Sequence, residues 1–487
     1  MERLPILRFG APYESADIHP VMDYRGDRIV DLSLAIPALF KTDLARHRDR
    51  SSSLLRHYPV RTILKWIQDA GQIFATKTIR IHGASQSPEQ YVESVVRSTG
   101  LPYRACHEVL QQMCNHMGSM PTILEHQCRA PLEALDSNIV EYGAKTFGWI
   151  PSADILCIAL PGNHPIVNMM WIIAFAAKYP VMIRPSFDDP FTSLRLIYSL
   201  IEAGADPEFF GYYPCSHSDA FELMKAVGRG IIFGGHKIVQ TYGAYPWMRA
   251  FGPGSSKIVV GEPWVDRIEE VAEWITASAL FHAGRACLST SSVLATRNGE
   301  AIAQAVARRF ASIAAQDPMR PGAVLAAAKD KRAVAMIAAE IDMACKRPGV
   351  QILPSPDAML RSCDGMTFLQ PQVALCCDAG DALFGKEYPF PFVSIVEAEE
   401  SKISSMVGST LACTCLAQSE SLLRALLRSP QIEKVYANMD NSTCMDFGSP
   451  HQGFLLDFLY QAKTFKQTNH SKEHPTQCSE NMKSAFA

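Results

Sequence analysis

The stretch that decides the fold is residues 154–187, DILCIALPGNHPIVNMMWIIAFAAKYPVMIRPSF. It contains two short apolar runs, Asp154–Leu160 and Val181–Arg184, which are separated by a turn at Pro161–Pro165 and an apolar segment that ends near Lys178. Such runs predict two buried strands joined by a helix, the repeating unit of a parallel sheet. The turn is then expected at the carboxyl edge of that sheet, where sheets of this class bind dinucleotides.

Strands and helices continue to alternate downstream with short loops between them, which predicts an α/β fold with right-handed crossovers. The predicted strands are Phe210–Pro214, Ile231–Phe233, Lys257–Gly261 and Ser291–Thr296, and the predicted helices are Pro190–Ala203, Asp219–Val227 and Val265–Phe281. Helical patterns also cover residues 60–76, 88–117 and the Ala-rich segment 300–346, and short strands recur to about residue 415.

Composition excludes several classes of function. Apolar residues make up 48% of the chain, and 46 basic and 49 acidic residues leave a formal charge of -3, so no nucleic acid or anionic membrane is expected as a partner. Met1–Gly10 lacks the apolar core of a secretory signal. The longest apolar stretch, Ile166–Ile183, is interrupted by Asn168, Lys178 and Pro180, so a membrane span of about 20 residues is not expected. We expect a cytoplasmic protein.

The cysteines do not form a metal-binding pattern. There are 14 of them, and the close pairs Cys376–Cys377 and Cys413–Cys415 lack the spacing of zinc ligands, so no metal is expected. In a large cytoplasmic chain reduced thiols are the rule, and most of these residues are expected to be small, buried and apolar.

Cys287 is the cysteine with a distinctive setting. It lies in the segment Ala283–Ser289, AGRACLS, between a predicted helix and a predicted strand. A catalytic cysteine needs access and a lowered pKa, and Arg285 would lower the pKa if its head group turned toward the sulfur. The alternative is a buried structural cysteine.

Two turns at the sheet edge are further candidates. Asn163 either caps the following helix, with Pro165 in its first turn, or donates its amide N–H to an oxyanion, and the two roles use different atoms. Gly234 and Gly235 follow the strand Ile231–Phe233 and permit a tight turn beside a phosphate, although no GxGxxG motif is present in this region.

These signals resemble, in order, the motifs of the aldehyde dehydrogenase superfamily between residues 154 and about 396. The matching segments are Pro161–Pro165 (Pro-Trp-Asn-Phe-Pro in the family), Arg184–Ser186 (Lys-Pro-Ser/Ala-Glu), Phe233–Gly235 (Phe-Thr-Gly-Ser), Gly284–Cys287 (Gly-Gln-x-Cys), and Glu387 with Phe390–Val393 (Glu-x-Phe-Gly-Pro-Val). Within that superfamily, Leu4–Gly10, Gly252–Lys257 and Pro450–Gly453 resemble the acyl-thioester reductases that include the bioluminescence-type (Lux-type) fatty acid reductase.

The resemblance implies a role for each matched position. It makes Cys287 the nucleophile and Asn163 the oxyanion donor, and His451 becomes a candidate for proton transfer or, alternatively, a structural histidine. The implied cofactor-binding residues are Arg184 and Ser186 near the adenosine ribose, Gly234 and Gly235 near the pyrophosphate, and Glu387 at the nicotinamide ribose, with its spacing to Phe390 one residue off the family pattern.

The resemblance also implies an architecture in which a Rossmann-type cofactor domain adjoins an α/β catalytic domain and an oligomerisation segment. The expected parts are an N-terminal arm and helical region (1–150), the dinucleotide-binding core (151–256), the catalytic domain (257–435), a return and oligomerisation segment (436–465) and a disordered tail (466–487). A homodimer or tetramer is expected by the same resemblance.

Two departures from the family pattern refine the expected chemistry. Aligning Lys257 with the Lys of the family's Glu-Leu-Gly-Gly-Lys places Pro253 where hydrolytic members carry the water-activating Glu, and proline cannot act as a base. Phe187 replaces the acidic residue that would contact the ribose 2′-OH, which beside Arg184 favours NADP over NAD, with NAD as the alternative.

The expected function is therefore NAD(P)H-dependent reduction of an acyl-CoA or acyl-carrier-protein thioester to an aldehyde, with an acyl-delivering synthetase as an implied partner. Three alternatives remain open at this point. They are NAD(P)+-dependent aldehyde oxidation with a base from elsewhere, such as His451; a non-catalytic binding protein; and a cysteine acyltransferase without a nicotinamide cofactor.

Overall fold

Our computed structural model describes residues 3–143, 145–354, 359–438 and 445–466, and the predicted tail at 466–487 lies almost wholly outside these ranges. Among the described residues, two seven-stranded sheets carry most of the architecture, and smaller sheets accompany them. No helix of the described ranges is long and apolar enough to cross a membrane.

The N-terminal part forms a helical layer with small sheets. Its strands are β1 (Arg3–Leu4), β2 (Ile6–Arg8), β3 (Ala11–Tyr13), β4 (Ile18–Met22), β5 (Arg28–Ser33), β6 (Ile79–Ile81), β7 (Ala84–Gln86), β8 (Ile139–Tyr142) and β9 (Lys145–Pro151). Its helices are α1 (Pro37–His57), α2 (Val60–Thr76), α3 (Pro88–Thr99), α4 (Tyr103–Gly118), α5 (Met120–Cys128) and α6 (Ala134–Ser137).

The first large sheet contains the stretch that opened the sequence analysis. Its central strands are β10 (Leu156–Ala159), β11 (Val181–Arg184), β12 (Phe210–Tyr212), β13 (Gly230–Phe233) and β14 (Met248–Phe251), and its helices are α7 (Met169–Ala176), α8 (Phe191–Glu202), α9 (His217–Val227) and α10 (His236–Tyr242). The order is β14-β13-β10-β11-β12-β2-β3, in which β10 to β14 are mutually parallel and β2 and β3 are antiparallel additions.

The strand order reverses between β10 and β13, because the chain runs from β10 outward to β12 and then returns to the other side of β10. In open parallel sheets the crevice at such a switch point, at the carboxyl ends of the strands, is the usual ligand site. The turns that follow β10 and β13 are therefore placed together at this crevice.

The second large sheet follows directly. Its strands are β15 (Ser256–Val260), β16 (Thr290–Ala295), β17 (Val350–Leu353), β20 (Gln372–Cys376), β21 (Phe392–Glu397), β22 (Thr410–Leu416) and β23 (Ile432–Ala437), with the hairpin β18 (Leu360–Cys363) and β19 (Met366–Leu369) beside it. Its helices are α11 (Ile268–Leu280), α12 (Gly299–Ala311), α13 (Lys331–Cys345), α14 (Glu400–Met406) and α15 (Glu420–Arg428). The order is β17-β20-β21-β16-β15-β22-β23, parallel except for β17.

The chain then returns to the N-terminal part through α16 (Leu455–Leu459) and β24 (Tyr460–Thr464). β24 pairs antiparallel with β9, which also pairs with β8, so these three strands form a separate small sheet.

Two helical predictions were too long. The pattern at 88–117 is divided into α3 and α4, because Gly100 adopts a left-handed φ of 74° and Pro102 follows it. The Ala-rich segment 300–346 contains α12 and α13, but residues 312–330 between them are irregular and include Pro318 and Pro321.

Candidate active site

A cavity of about 660 Å³ lies where the carboxyl edge of the first large sheet faces the amino edge of the second. The turns after β10 and β13 and the crossing segment after β14 line it from the first sheet, and the segments before β16 and β21 line it from the second. The lining residues from these turns are Pro161–Asn163, Gly234–Gly235, Gly252–Pro253, Gly284–Cys287 and Glu387–Phe390. The fold thus brings four of the five segments matched to the superfamily to one cavity, and Arg184–Ser186 is the exception.

The loop that carries Cys287 has an unusual backbone. His282, Ala283 and Gly284 have left-handed φ values of 47°, 57° and 74°, and two of these three residues are not glycine. Such conformations are costly and persist only where the surroundings enforce them. At Gly284 a Cβ atom would lie 2.5 Å from the carbonyl carbon of Phe390, so the loop has no room for a side chain there. Cys287 itself is partly exposed and lines the cavity, which is not the setting of a buried structural cysteine.

The segment Gly252–Ser256 fixes the other side of the loop. Ser256 Oγ donates to the Cys287 carbonyl oxygen at 2.8 Å. At Gly254 a Cβ atom would lie 1.8 Å from that same oxygen, so only glycine permits this approach. Pro253 lines the cavity immediately before this contact. The position expected to lack a water-activating carboxylate is therefore next to the proposed nucleophile.

The electrostatic setting of Cys287 differs from the expectation that Arg285 activates it. Burial and then the Glu387 carboxylate raise the pKa of Cys287 to about 12, whereas the Lys434 cation acts in the lowering direction. Arg285 points away and donates to the carbonyl oxygens of Thr99 at 2.7 Å and Ala327 at 3.4 Å. The expectation for Arg285 was wrong, because its guanidinium donates to backbone carbonyls of α3 and of the segment between α12 and α13.

Asn163 does not cap the helix that follows it. The capping residue is His164, whose Nδ1 accepts the N–H of Ile166 at 3.2 Å. Asn163 Nδ2 donates to the Arg285 carbonyl oxygen at 3.0 Å, which ties its turn to the Cys287 loop. Because Nδ2 carries two hydrogens and Asn163 lines the cavity with Cys287, the amide retains a donor for an oxyanion.

His164 and His282 form a buried pair that the sequence did not reveal. Their rings meet edge to face with centroids 3.9 Å apart. Within the described residues, His164 Nε2 and both ring nitrogens of His282 are buried without a hydrogen-bond partner. Burial lowers the pKa of His282 to about 4 and that of His164 further below its ordinary value, so both rings are neutral at neutral pH.

Glu387 lies on the second-sheet side of the cavity. Its Oε2 accepts the N–H of Ser255 at 2.6 Å, and burial raises its pKa although this hydrogen bond and the Lys257 cation oppose the shift. Lys257 is buried and donates to Ser255 O at 2.8 Å and Thr410 Oγ1 at 2.9 Å. Contact of Glu387 with a nicotinamide ribose stays a prediction.

Arg184 and Ser186 lie at the end of β11, beside the turn after β10. Arg184 Nε donates to the Cys215 carbonyl oxygen at 3.1 Å, and its guanidinium lies 4.8 Å from the ring of Phe187. His19 stacks on Phe187 with centroids 4.2 Å apart. Arg184 is buried, and burial lowers the pKa of its guanidinium.

His451 lines the cavity from the segment after β23. Burial, followed by the Lys434 and Arg249 cations, lowers its pKa to about 3. The neutral imidazole is therefore the form at neutral pH, and a neutral imidazole is a weak proton donor. Its role in proton transfer stays a prediction.

Two charged residues at this end of the cavity escaped the sequence analysis, Lys434 in β23 and Asp446 after it. Neither lies in a recognisable motif, and nothing in their spacing points to Cys287. Lys434 lies beyond residue 415, where the predicted strands end, so no feature of the sequence pointed to it.

Comparisons with known proteins agree with this geometry. The aldehyde dehydrogenase family model matches residues 86–454. Similar solved structures include the aldehyde dehydrogenase KauB from Pseudomonas aeruginosa, with 15% identity over 95% of this chain and 96% of that chain and a TM-score of 0.76.

Two further solved structures have the same fold. The indole-3-acetaldehyde dehydrogenase AldA of P. syringae is 15% identical over 94% of this chain and 95% of that chain, with a TM-score of 0.77. The NAD-dependent benzaldehyde dehydrogenase of Corynebacterium glutamicum is 14% identical over 95% and 97%, with a TM-score of 0.75. No curated protein sequence matches the chain.

Proposed function

The chain belongs to the aldehyde dehydrogenase family and is an oxidoreductase of that family, and on this premise we propose that it reduces an acyl thioester to an aldehyde through an acyl-enzyme on Cys287. The branch resembling the bioluminescence-type fatty acid reductases is part of this proposal. The acyl donor is an acyl-CoA or an acyl-carrier protein.

The observation that carries the proposal is Pro253, which lines the cavity beside Cys287 at the position aligned with the water-activating Glu. A cysteine acyl-enzyme that cannot activate water retains its acyl group until another reaction removes it. Reduction by a nicotinamide cofactor is the reaction that we propose for this step. The lack of a base is thus an advantage to a reductase, because hydrolysis would waste the thioester.

Four carboxylates line the cavity, and each of them already has a partner among the described residues. Glu387 accepts the Ser255 N–H, and Asp188 pairs with Lys329. The remaining two have local roles: Asp330 caps α13 through the N–H groups of residues 332 and 333, and Asp446 accepts the N–H of residue 448. Of these four carboxylates, Glu387 is the one whose charge acts on Cys287.

In the proposed reaction, Cys287 acts as the nucleophile and Asn163 as the oxyanion donor. The Cys287 thiolate attacks the thioester carbonyl, and the oxyanion that forms accepts a hydrogen bond from the Asn163 amide. Collapse expels the thiol carrier and leaves an S-acyl bond on Cys287. A reduced nicotinamide cofactor supplies the hydride when bound. The same amide then holds the hemithioacetal oxygen, and cleavage of the C–S bond returns the thiolate and frees the aldehyde.

The described residues fit a dinucleotide. Gly235 borders open space where a Cβ atom would project, and Gly234 lines the cavity, so the turn after β13 can approach a pyrophosphate. Glu387 would hold the nicotinamide ribose, and Arg184 and Ser186 the adenosine ribose. The stacking of Phe187 beneath the guanidinium of Arg184 supports a preference for NADP over NAD.

The cofactor proposal is tested by steady-state kinetics with NADPH and NADH at equal concentrations. We expect a higher kcat/KM with NADPH, and we expect Arg184→Met to reduce that preference with a smaller effect on NADH. A wild-type preference for NADH would contradict the assignment.

Aldehyde oxidation to an acid is the second candidate, and a specific observation favours it. The three solved structures described above are named as aldehyde dehydrogenases, and two of the names specify indole-3-acetaldehyde and benzaldehyde. These names agree with aldehyde oxidation better than with thioester reduction. This oxidation requires a base from a position other than 253, and His451 and Glu387 line the cavity.

One assay separates the two candidates. Purified protein is incubated with acyl-CoAs of several chain lengths and NADPH, and in parallel with the matching aldehydes and NADP+, while nicotinamide absorbance and products are followed. We expect cofactor oxidation and free aldehyde in the first reaction, with both lost in Cys287→Ala. Free acid in the second reaction without thioester reduction in the first would support oxidation instead.

Assembly with other chains is also proposed. β8 and β24 are the outer strands of their small sheet, and such edges are available for pairing with another chain. A homodimer or tetramer is proposed on the family resemblance, and an acyl-delivering synthetase is a further proposed partner. Light scattering after size-exclusion chromatography measures the first, where a monomer at micromolar concentration would contradict it.

A further inference from the structure

Cys287 lies in a cavity that disfavours its reactive form, and the cation expected from the sequence, Arg285, is directed elsewhere. We propose that Lys434 is the positioning residue that stabilises the thiolate form of Cys287. The inference rests on Cys287 being the nucleophile of the proposed function, and it holds for a thioester reductase and an aldehyde dehydrogenase alike.

Strand pairing places Lys434 on the face of the sheet that adjoins Cys287. β22 and β23 are parallel, with Ala412 opposite Lys434. Opposite residues of paired strands project to the same face, as do residues two apart on one strand. Ala412 belongs to a small apolar cluster with Leu288, and both Cys287 and Tyr436 pack against that cluster. The Lys434 side chain therefore projects from the same face of the sheet as Ala412 and Tyr436, which lie in or against the cluster that Cys287 contacts.

The cavity lining gives an independent indication of the same placement. Lys434 and Cys287 line one cavity together with Asp446 and His451, which come from the segment after β23. The cation therefore reaches the cavity from the second sheet, on the side opposite the turn that carries Asn163.

The charges that face Cys287 explain why a cation is needed there. Burial raises its pKa most, and Glu387, from the segment before β21, raises it further. Lys434 is the cation that acts on it in the opposite direction. His451 does not add a second cation, because burial and Lys434 itself keep its imidazole neutral.

Asp446 is an anion that lines the same cavity as Lys434. Burial would raise its pKa, but hydrogen bonds from Ser449 and Gly448 and the Lys434 cation bring the pKa below its ordinary value. Asp446 is therefore ionised at neutral pH. Lys434 therefore shares the cavity with an ionised carboxylate and with a thiol that becomes charged only when it loses its proton.

This arrangement has a consequence for the reaction. The attraction between an ammonium and a thiolate strengthens when water is excluded, because the local dielectric falls. The same exclusion of water strengthens the opposing effects of burial and of Glu387, so Lys434 limits the rise of the Cys287 pKa and does not reverse it.

The test measures the pH dependence of Cys287 alkylation, which needs neither substrate nor cofactor. Full-length protein is treated with iodoacetamide between pH 6 and 10, and carboxamidomethylation of the Cys287 peptide is quantified by mass spectrometry. We expect Lys434→Gln and Lys434→Thr to slow alkylation at neutral pH by roughly three- to tenfold and to move the profile to higher pH, because a tenfold change corresponds to one pKa unit.

Two comparisons distinguish the charge from the side chain. Lys434→Arg keeps the charge and should retain most of the wild-type profile, and Lys463→Gln, at an exposed position of β24, should leave it unchanged. Thr suits a strand position, so Lys434→Thr serves if the Gln variant folds poorly; circular dichroism checks both. Unchanged alkylation profiles in the folded Gln and Thr variants would overturn the inference.

The result is separable from the proposed function. A shifted profile in a protein that reduces no thioester would support the role of Lys434 and remove the reductase proposal. Thioester reduction together with an unshifted alkylation profile would support the reductase proposal and overturn the role of Lys434.

Discussion

Pro253 is the residue on which the proposed thioester reduction depends, and it can be changed directly. It lines the cavity one residue before Gly254, which approaches the Cys287 carbonyl oxygen. A carboxylate at this position could take a proton from water next to an S-acyl group on Cys287.

We therefore expect Pro253→Glu to gain hydrolysis of the acyl-enzyme. With acyl-CoA alone, the variant should release free acid at a rate at least tenfold above wild type, and aldehyde yield with NADPH should fall. Pro253→Gln is the matched control, because it has the same shape without a base. Equal acid release by wild type and both variants would count against the assigned position of the missing base.

The buried histidines make stability depend on pH. His282 has a pKa of about 4 in the folded protein against about 6.5 when unfolded, so between these values the unfolded chain binds a proton that the folded chain does not. Stability should therefore fall as pH drops from about 6.5 to 4, by up to about 3 kcal/mol from this residue. His451 and His164 act in the same direction.

Denaturant unfolding at pH 7 and pH 5 measures this effect. His282→Asn removes the titrating group and keeps a residue that tolerates the left-handed backbone, so the difference between the two pH values should shrink. His107→Gln, at an exposed position of α4, should leave the difference as in wild type. The same pH difference in His282→Asn and wild type would show that the titrating groups lie elsewhere.

Residues that belong to a family motif could be predicted from the sequence. Residues whose role depends on the direction of the side chain could not. Cys287 and Asn163 were predicted as site residues because their spacing and order matched a family, and both line the cavity; their roles stay predictions. Arg285 was assigned the wrong neighbour, because its direction depends on carbonyl groups of Thr99 and Ala327, which are distant in the chain. Lys434 carries no motif at all.

At the scale of elements, the contact between two loops decides the geometry of the site. Gly254 follows β14 and lies against the backbone of the Cys287 loop, where a Cβ atom would lie 1.8 Å from the carbonyl oxygen. A methyl group there must displace one of the two loops, and overpacking of this kind costs about 1–3 kcal/mol.

Gly254→Ala should thus lower thioester reduction by at least tenfold and reduce the free energy of unfolding, because both loops hold reacting groups. Gly118→Ala is the control, since a Cβ atom at Gly118 would meet nothing within 4 Å. Its stability should equal or slightly exceed that of wild type. Activity and chemical denaturation of both variants give the comparison, and wild-type activity in Gly254→Ala would refute the tight contact.

Strands were easier to predict than the limits of helices. The apolar run Val181–Arg184 became β11 without change, because buried parallel strands are short and bounded by turns. Helix ends depended on tertiary contacts. His164 rather than Asn163 became the capping residue, and the Asn163 amide donates to the Arg285 carbonyl oxygen.

At the scale of the whole molecule, the site exists because two sheets meet edge to edge. β14 runs through Gly252–Ser255 directly into β15, so the carboxyl edge of one sheet continues into the amino edge of the other. The family and the α/β fold could be predicted from motif order. The meeting of the edges could not, because it depends on packing between segments more than 100 residues apart, such as Asn163 with Arg285.

The most direct test of the central claim is a single turnover with acyl-CoA in the absence of cofactor. The account predicts one acyl group on the peptide containing Cys287, seen by mass spectrometry, that persists in water and is released as one equivalent of aldehyde when NADPH is added. Rapid release of free acid without cofactor, or an acyl group on no residue or on another one, would contradict it.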